Sequence, residues 1–261
     1  MRYDPPRFLD QGEAALTVEF GDAVDAELNA LVLALDDAFL RERMPGVRET
    51  TPTYRSLLVH YEPLEISRQA LIGWIEQRLP VIASEAKQSR AASRALDRFV
   101  ADAPRNDGGA WVIPCCYDPA IAEDIEEAGS ILGLSPSSLA EAHAAADYRA
   151  FMYGFAPGWC YLGGLPETLA IPRRLAPRGP TPEGAVLIGG GLSLIATNPM
   201  PTGWYVIGRT PERLFSLTRD PPFLIAPGET LRFEPIDAAT FAALDARAAQ
   251  GEILARREER A

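Results

Sequence analysis

Leu16, Val18 and Phe20 alternate with Thr17 and Glu19, the period-two pattern of a half-buried strand. Gly21 breaks that run, and Asp25 can cap a helix whose apolar stripe is Leu28, Leu31, Val32 and Leu35. Pro45-Gly46 closes the connection to a strand pair between Val47 and Tyr61. In that pair Leu57, Val59 and Tyr61 face one way and Leu58 and His60 the other, which makes His60 a strand residue beside the core. Ser67 caps a second helix carrying Leu71, Trp74, Ile75 and Leu79, and Pro80 is expected to end it. Strands and two helices in this order predict a small ferredoxin-like α/β domain over residues 1–80, with both helices on one face of the sheet.

Residues 81–109 change character, becoming rich in Ala, Ser and Arg and ending in Asn-Asp-Gly-Gly. They read as an inserted linker, with at most one short helix around Leu96, Phe99 and Val100. A second domain follows over 110–250. Trp111-Val112-Ile113 is a short strand, and Asp118-Pro119 predicts a helix start, with Ile121, Ile125, Ala128 and Leu132 on one face and Gly133 at the end. Ser135-Pro136 repeats the start signal for a helix through Leu139, Ala142 and His143. Beyond Tyr148, short β segments divided by Gly and Pro fall at 184–189, 192–197, 204–208, 213–216 and 230–235, the spacing of a β-barrel or sandwich. A closing helix starts near Ala238 with Phe241 and Leu244 inward, and the charged tail 256–260 is expected to fray. The fold class is α+β.

The 261 residues are enough for one large domain or two small ones, and 47% apolar against 23% charged residues is a globular balance. A net charge of −11 argues against nucleic acid or an anionic membrane as the partner. No apolar run approaches a membrane span, and the start lacks the order of a secretory signal, so a cytoplasmic location is expected. Cys115, Cys116 and Cys160 give no readable disulfide framework, and Cys160 reads as buried, not as a nucleophile. His60 and His143 do not sit at metal-ligand spacing, so no metal is expected. A G-x-S-x-G elbow, a Walker loop and a G-x-G-x-x-G fingerprint are absent, and Gly189-Gly190-Gly191 is not followed by Lys-Ser/Thr.

Three segments concentrate Gly, Pro and aromatic residues: Phe151–Leu165, Ile171–Arg178 and Pro201–Pro211. A glycine beside an aromatic lets backbone approach a ligand while the ring forms a wall, and an arginine between prolines is held stiffly for a carboxylate or phosphate. The same composition also suits tight barrel corners, where Gly and Pro serve geometry alone.

The G-F-x-P-G-x-x-Y-L-G-G-L stretch of residues 154–165, the G-W-x-x-I-G-R-T-P stretch of 203–211 and Thr53–Tyr61 resemble the allophanate hydrolase subunit 1 / Kip kinase-inhibitor family, which includes the B subunits of bacterial ATP-dependent 5-oxoprolinase. The similarity covers about 7–80 and 111–236. It implies a cyclophilin-like β-barrel for the C-terminal domain, and partners: a homologue of the carboxyltransferase-type C subunit and a third lactam-utilisation subunit. Together these open 5-oxo-L-proline to L-glutamate at the expense of ATP. Related fused pairs form the carboxyltransferase part of urea carboxylase. The alternative the resemblance carries is a regulatory protein that inhibits a sensor histidine kinase without catalysis. A prolyl isomerase does not follow from a barrel alone.

Under the enzymatic reading, Arg178 and Arg209 are the candidates for anion binding, and His143 and Tyr148, which match the family's H-x-x-x-x-Y pattern, for hydrogen bonding or proton handling. The bland alternatives are a capping or barrel-facing His143 and an Arg209 paired structurally. Substrate contacts are expected at Phe155, Pro157, Gly158, Tyr161, Gly163, Gly164, Gly203, Trp204 and Thr210. ATP would be used by the assembly, and the chain has no biotin attachment site of the Met-Lys-Met kind. Departures from the family pattern thin the polar lining. Gly179-Pro180-Thr181-Pro182 lacks a second arginine, and Gly190-Gly191-Leu192-Ser193 and Ile195-Ala196-Thr197 replace more polar turns.

Overall fold

The computed structural model describes residues 1–89 and 109–258, the side chains of 87–89 excepted, and the chain divides into two compact units, Met1–Arg98 and Phe99–Ala261. In the first unit β1 (Arg2–Asp10), β2 (Ala15–Gly21), β3 (Val47–Pro52) and β4 (Ser56–Tyr61) form an antiparallel sheet of order β1-β2-β4-β3. Helices α1 (Ala26–Glu42) and α2 (Arg68–Ser89) pack on each other, and α1 also lies on β2, β3 and β4. The Asp25 carboxylate accepts from the Glu27 and Leu28 amides, supplying two of the orphan donors at the α1 N-terminus. Leu16 and Val18 face Val59 and Leu57 across the ladder, and all four are buried under the helices. The order of β2, β4 and β3 is ferredoxin-like, but the outer edge beside β2 comes from β1, which precedes the motif.

Pro80 does not end α2. The helix continues nine residues, into the segment read as linker, because Ile82 and Ala86 prolong the buried stripe of Leu71 and Ile75. Packing of that stripe outweighs the missing amide and the ring clash of one proline. Trp74 adds to the seam, stacked on Phe39 at 4.4 Å and covered by the Arg78 guanidinium at 3.7 Å. The rest of the linker reading, with its short helix around Leu96, lies outside the described residues.

The second unit is a closed barrel. Strands β5 (Ala110–Cys116), β6 (Tyr148–Tyr153), β7 (Cys160–Gly163), β9 (Ala185–Gly189), β10 (Leu192–Ala196), β12 (Tyr205–Arg209) and β13 (Thr230–Ile236) follow the order β12-β9-β10-β7-β6-β13-β5 and close through β12–β5. Closure places Arg209 opposite Cys116. Among the described residues only β5 and β13 run parallel, from Trp111 opposite Leu231 to Cys116 opposite Ile236. Two short strands, β8 (Arg178–Pro180) and β11 (Pro201–Thr202), pair with each other outside the barrel. Helices α3 (Ile125–Leu132) and α4 (Pro136–Ala144) pack on each other, α3 against β12 and α4 against β13, while α5 (Ala238–Ala248) packs on β5.

Alternation along the strands produces two apolar layers. Val186, Ile188, Ile195, Cys160 and Leu162 belong to the main core, while Ala185, Leu187, Leu194, Val206, Trp159 and Trp204 build a second cluster on the other face of the same strands. That second layer supports the loops described below.

Strands β9, β10, β12 and β13 fall within one residue of the segments read from the sequence. The segment 213–216 is not a strand and makes only a single bridge, Phe215 to Phe223. Asp118-Pro119 opens a turn in place of a helix. Ile121 and Ala122 both donate to the Asp118 carbonyl, and the Asp124 amide is taken by Val206 of β12, so α3 begins only at Ile125. The expected fraying of the tail is also overturned through Glu258: β14 (Arg256–Glu258) pairs with β5, and the Arg257 guanidinium lies over Trp111 and meets the buried Glu229.

Candidate functional site

His143, read as a proton-handling group, lies in the barrel core with no exposure. Its Nδ1 is 2.8 Å from the Tyr117 hydroxyl and its Nε2 is 3.2 Å from Ser193 Oγ. Ser193 Oγ donates to the Leu187 carbonyl, so it must accept from His143 Nε2–H, which leaves Nδ1 to accept from Tyr117. Tyr148 is equally buried and donates to the His143 carbonyl at 3.0 Å. Burial without a carboxylate neighbour pushes the His143 pKa down to about 3. The imidazole is therefore neutral at physiological pH, and both side chains are shielded from solvent. Their role is to satisfy one another's polar groups inside an apolar barrel.

Cys115, Cys116 and Cys160 are buried, and burial raises each thiol, with Cys160 pushed up to about 12. They are inert as nucleophiles.

The two predicted anion binders are already engaged. Arg178 donates to the Asp124 carboxylate at 2.7 Å and also pairs with Glu123. Arg209 donates from Nε and one Nη to the Glu183 carbonyl at 3.1 and 3.0 Å, and lies 5.1 Å from the Phe241 ring centroid. Thr210 is buried beside it, its amide bound to the Gly184 carbonyl and its hydroxyl accepting from the Glu212 amide. A small cleft nearby, lined by Glu183, Thr197, Glu212, Arg213 and Phe215, has about 20 Å³ of space, room for a water.

The remaining candidates gather on two loop clusters. The first is the β6–β7 connection. Phe155 is 67% exposed with φ 70°, a left-handed conformation that an aromatic residue rarely adopts, and its ring meets Trp159 at 5.1 Å. Pro157 is pinned through its carbonyl to the Thr197 hydroxyl at 2.6 Å. Gly158 has φ 79°, and a Cβ there would fall 2.4 Å from Phe215 Cβ, so no other residue fits. A Cβ at Gly163 would fall on the Phe151 ring, and one at Gly164 would meet the Asp147 carbonyl.

The second cluster is the arginine loop between Ile171 and Arg178. It is tied at one end by the Gly190 amide to the Ile171 carbonyl and in the middle by the Arg174 amide to the Gly203 carbonyl, both at 2.8 Å. Arg174 lies over Tyr205 at 4.1 Å and pairs with Glu127 and Asp124. Beneath the loop Tyr161 and Trp204 meet edge to face at 6.0 Å. Tyr161, Gly203 and Trp204 are thus brought together, and with them Arg173, which sequence reasoning passes over. Its loop can be found from the Pro/Arg density, but the partners that occupy its neighbours lie about fifty positions away in the chain.

The glycine run 189–191 is part of the β9–β10 turn, and with its Gly190 amide spent on Ile171 it does not fit a triphosphate cradle. Among the described residues no group of three His, Cys, Asp or Glu side chains is arranged to hold a metal ion, and no helix is long and apolar enough to cross a membrane.

Comparison with known proteins follows the same outline. The family model for the carboxyltransferase domain, subdomain C and D, matches residues 6–225. The B subunit of 5-oxoprolinase from Bacillus subtilis (strain 168) is 31% identical over 232 residues, which cover 85% of this chain and 89% of that protein. A solved structure, TTHA0988, superposes with a TM-score of 0.69 at 29% identity over 86% of this chain, and the chain spans 40% of that longer one. The Kluyveromyces lactis urea carboxylase gives a TM-score of 0.68 over 96% of this chain at 15% identity, a likeness of fold alone, with 24% of its own length spanned.

Proposed function

Because the chain belongs to the carboxyltransferase subdomain C and D family, we propose that it is the B subunit of a 5-oxoprolinase-type assembly that opens 5-oxo-L-proline to L-glutamate with ATP. The observation that carries this reading is the match to the Bacillus protein across 89% of its length. A B subunit implies partner subunits. On this reading they are a carboxyltransferase-like C subunit and a third, lactam-utilising one, in the cytoplasm where ATP is supplied.

The chemistry explains why ATP is spent. A lactam is a stable amide, and moving the γ-phosphoryl group of ATP to its oxygen activates the carbon. Water then adds there, the adduct expels the ring nitrogen, and a second water hydrolyses the resulting acyl phosphate. The sum is 5-oxoproline, ATP and two waters giving glutamate, ADP and phosphate. Such a route needs cations for developing phosphate charge, and this chain commits most of its loop arginines to its own carboxylates. We therefore assign ATP to one of the partners. To this chain we assign one wall of a site completed on assembly.

Phe155 is the residue we assign to the contact with a partner, since an exposed aromatic ring in a strained backbone is retained against its own cost. Phe155→Gly relieves the left-handed backbone. The isolated chain is expected to keep its melting temperature or gain up to about 1 kcal/mol, while affinity for the co-expressed partner falls tenfold or more. Size-exclusion and titration calorimetry of the tagged chain with its partner check both. Unchanged affinity would remove Phe155 from the interface. Failure of the wild-type chain to form any complex with its genomic neighbours would count against the proposed place in the assembly itself.

A further inference from the structure

We propose that Arg173 is the carboxylate-recognition residue of this chain, the group that takes the carboxylate of a small planar acid; the choice of 5-oxo-L-proline as that acid rests on the function proposed above. Three arginines lie within six positions on the loop from Ile171 to Arg178. Arg174 and Arg178 are committed to Glu127, Asp124 and Glu123. Arg173 is exposed, and among the described residues no carboxylate pairs with it. What it has is a wall. Its guanidinium sits 5.2 Å from the centroid of the Trp204 ring, with Tyr161 close enough to feel its charge.

Two further features prepare the position. The backbone on either side is pinned, Ile171 through Gly190 and Arg174 through Gly203, so the side chain is presented on a fixed stem. Opposite it stands Gly190, where a Cβ would come 3.6 Å from the Arg173 Nε. With glycine there, no side chain from this turn packs against the Arg173 stem. A planar fork with a free edge, backed by an aromatic ring, suits bidentate contact with a carboxylate. Arg173 is the loop's one arginine without a carboxylate among the described residues, and an external anion completes the set.

The test compares the reconstituted assembly carrying wild-type chain, Arg173→Ala, Arg173→Lys and Gly190→Asp, each assayed on 5-oxo-L-proline and on its carboxamide. Aspartate tolerates the positive φ of 60° at position 190 and would place an internal carboxylate beside the guanidinium. Arg173→Ala and Gly190→Asp are expected to raise KM for the acid about 10- to 100-fold with kcat changed far less. They should also erase the preference for acid over carboxamide, and lysine should restore part of it. Wild-type KM and wild-type preference in Arg173→Ala, with melting temperature and assembly intact, would overturn the assignment. If the wild-type assembly has no turnover, the functional reading fails on its own account, and calorimetric binding of 5-oxo-L-proline then decides the site. Binding lost in Arg173→Ala supports it, and absent or unaltered binding overturns it.

Discussion

Replacing His143 with alanine is expected to cost the barrel about 3–5 kcal/mol, the range for emptying a packed site while stranding a buried hydroxyl. The ring packs against Tyr148 and Phe233 at centroid distances of 5.0 and 4.8 Å, and the Tyr117 hydroxyl loses its imidazole acceptor. Acid sensitivity follows from the same burial. With a folded pKa near 3 against an ordinary 6.5, the unfolded chain takes up a proton that the folded chain refuses across that interval. Stability from this group is complete above pH 6.5 and declines as pH falls toward 3, by about 1.4 kcal/mol per unit and about 4–5 kcal/mol in all. Glutamine at 143 can accept from Tyr117 and donate to Ser193 without titrating. Denaturant midpoints at pH 7 and pH 4.5 should therefore converge in His143→Gln more than in wild type. An equal pH dependence in both proteins would remove His143 as its source.

The second large effect is expected at Asp124. One of its oxygens accepts from the Val206 amide at 2.8 Å and from Arg178 at 2.7 Å, and the other lies 3.2 Å from Arg174. The side chain therefore joins α3, β12 and the arginine loop at a single point. Asp124→Ala leaves a buried amide without an acceptor and takes one of two carboxylate partners from each of Arg174 and Arg178, a loss of about 2–4 kcal/mol. Asp124→Asn keeps an acceptor for Val206 while dropping the charge, and should cost about half as much. Because the loop carries Arg173, both variants should also weaken substrate binding in the assembly, the alanine more than the asparagine. Urea denaturation and KM, measured on the same preparations, check the pair of effects. A stable Asp124→Ala chain with ordinary KM would show that the loop holds its place without this anchor.

Elements that announce themselves locally are legible in the sequence. Asp25, Ser135 and Asp237 each accept from amides in the first turn of the helix they precede, a contact encoded within three residues. Strands β9, β10 and β12, buried on both faces, read as near-continuous apolar runs. What is lost depends on distant neighbours. Pro80 looks like a stop because the partner surface that rewards Ile82 and Ala86 is α1, some forty residues back. Strands β1 and β14 carry Pro, Arg and Glu at sheet edges, where pairing is decided by the adjacent strand and not by an apolar pattern. The site suffers most from this. His143 and Arg178 have the right chemistry for catalysis, but burial assigns the first to structure, and carboxylates from the turn before α3 assign the second. Arg173 emerges as the open cation only once those partners are located.

The measurement that tests the proposed role most directly is glutamate release from 5-oxo-L-proline and ATP by the co-expressed genomic neighbours, with this chain present and with it omitted. Glutamate formed one-for-one with ADP when the chain is present, and background release when it is left out, is the expected result. Equal glutamate release in both mixtures, with the chain folded and bound to its partners, would contradict the assignment.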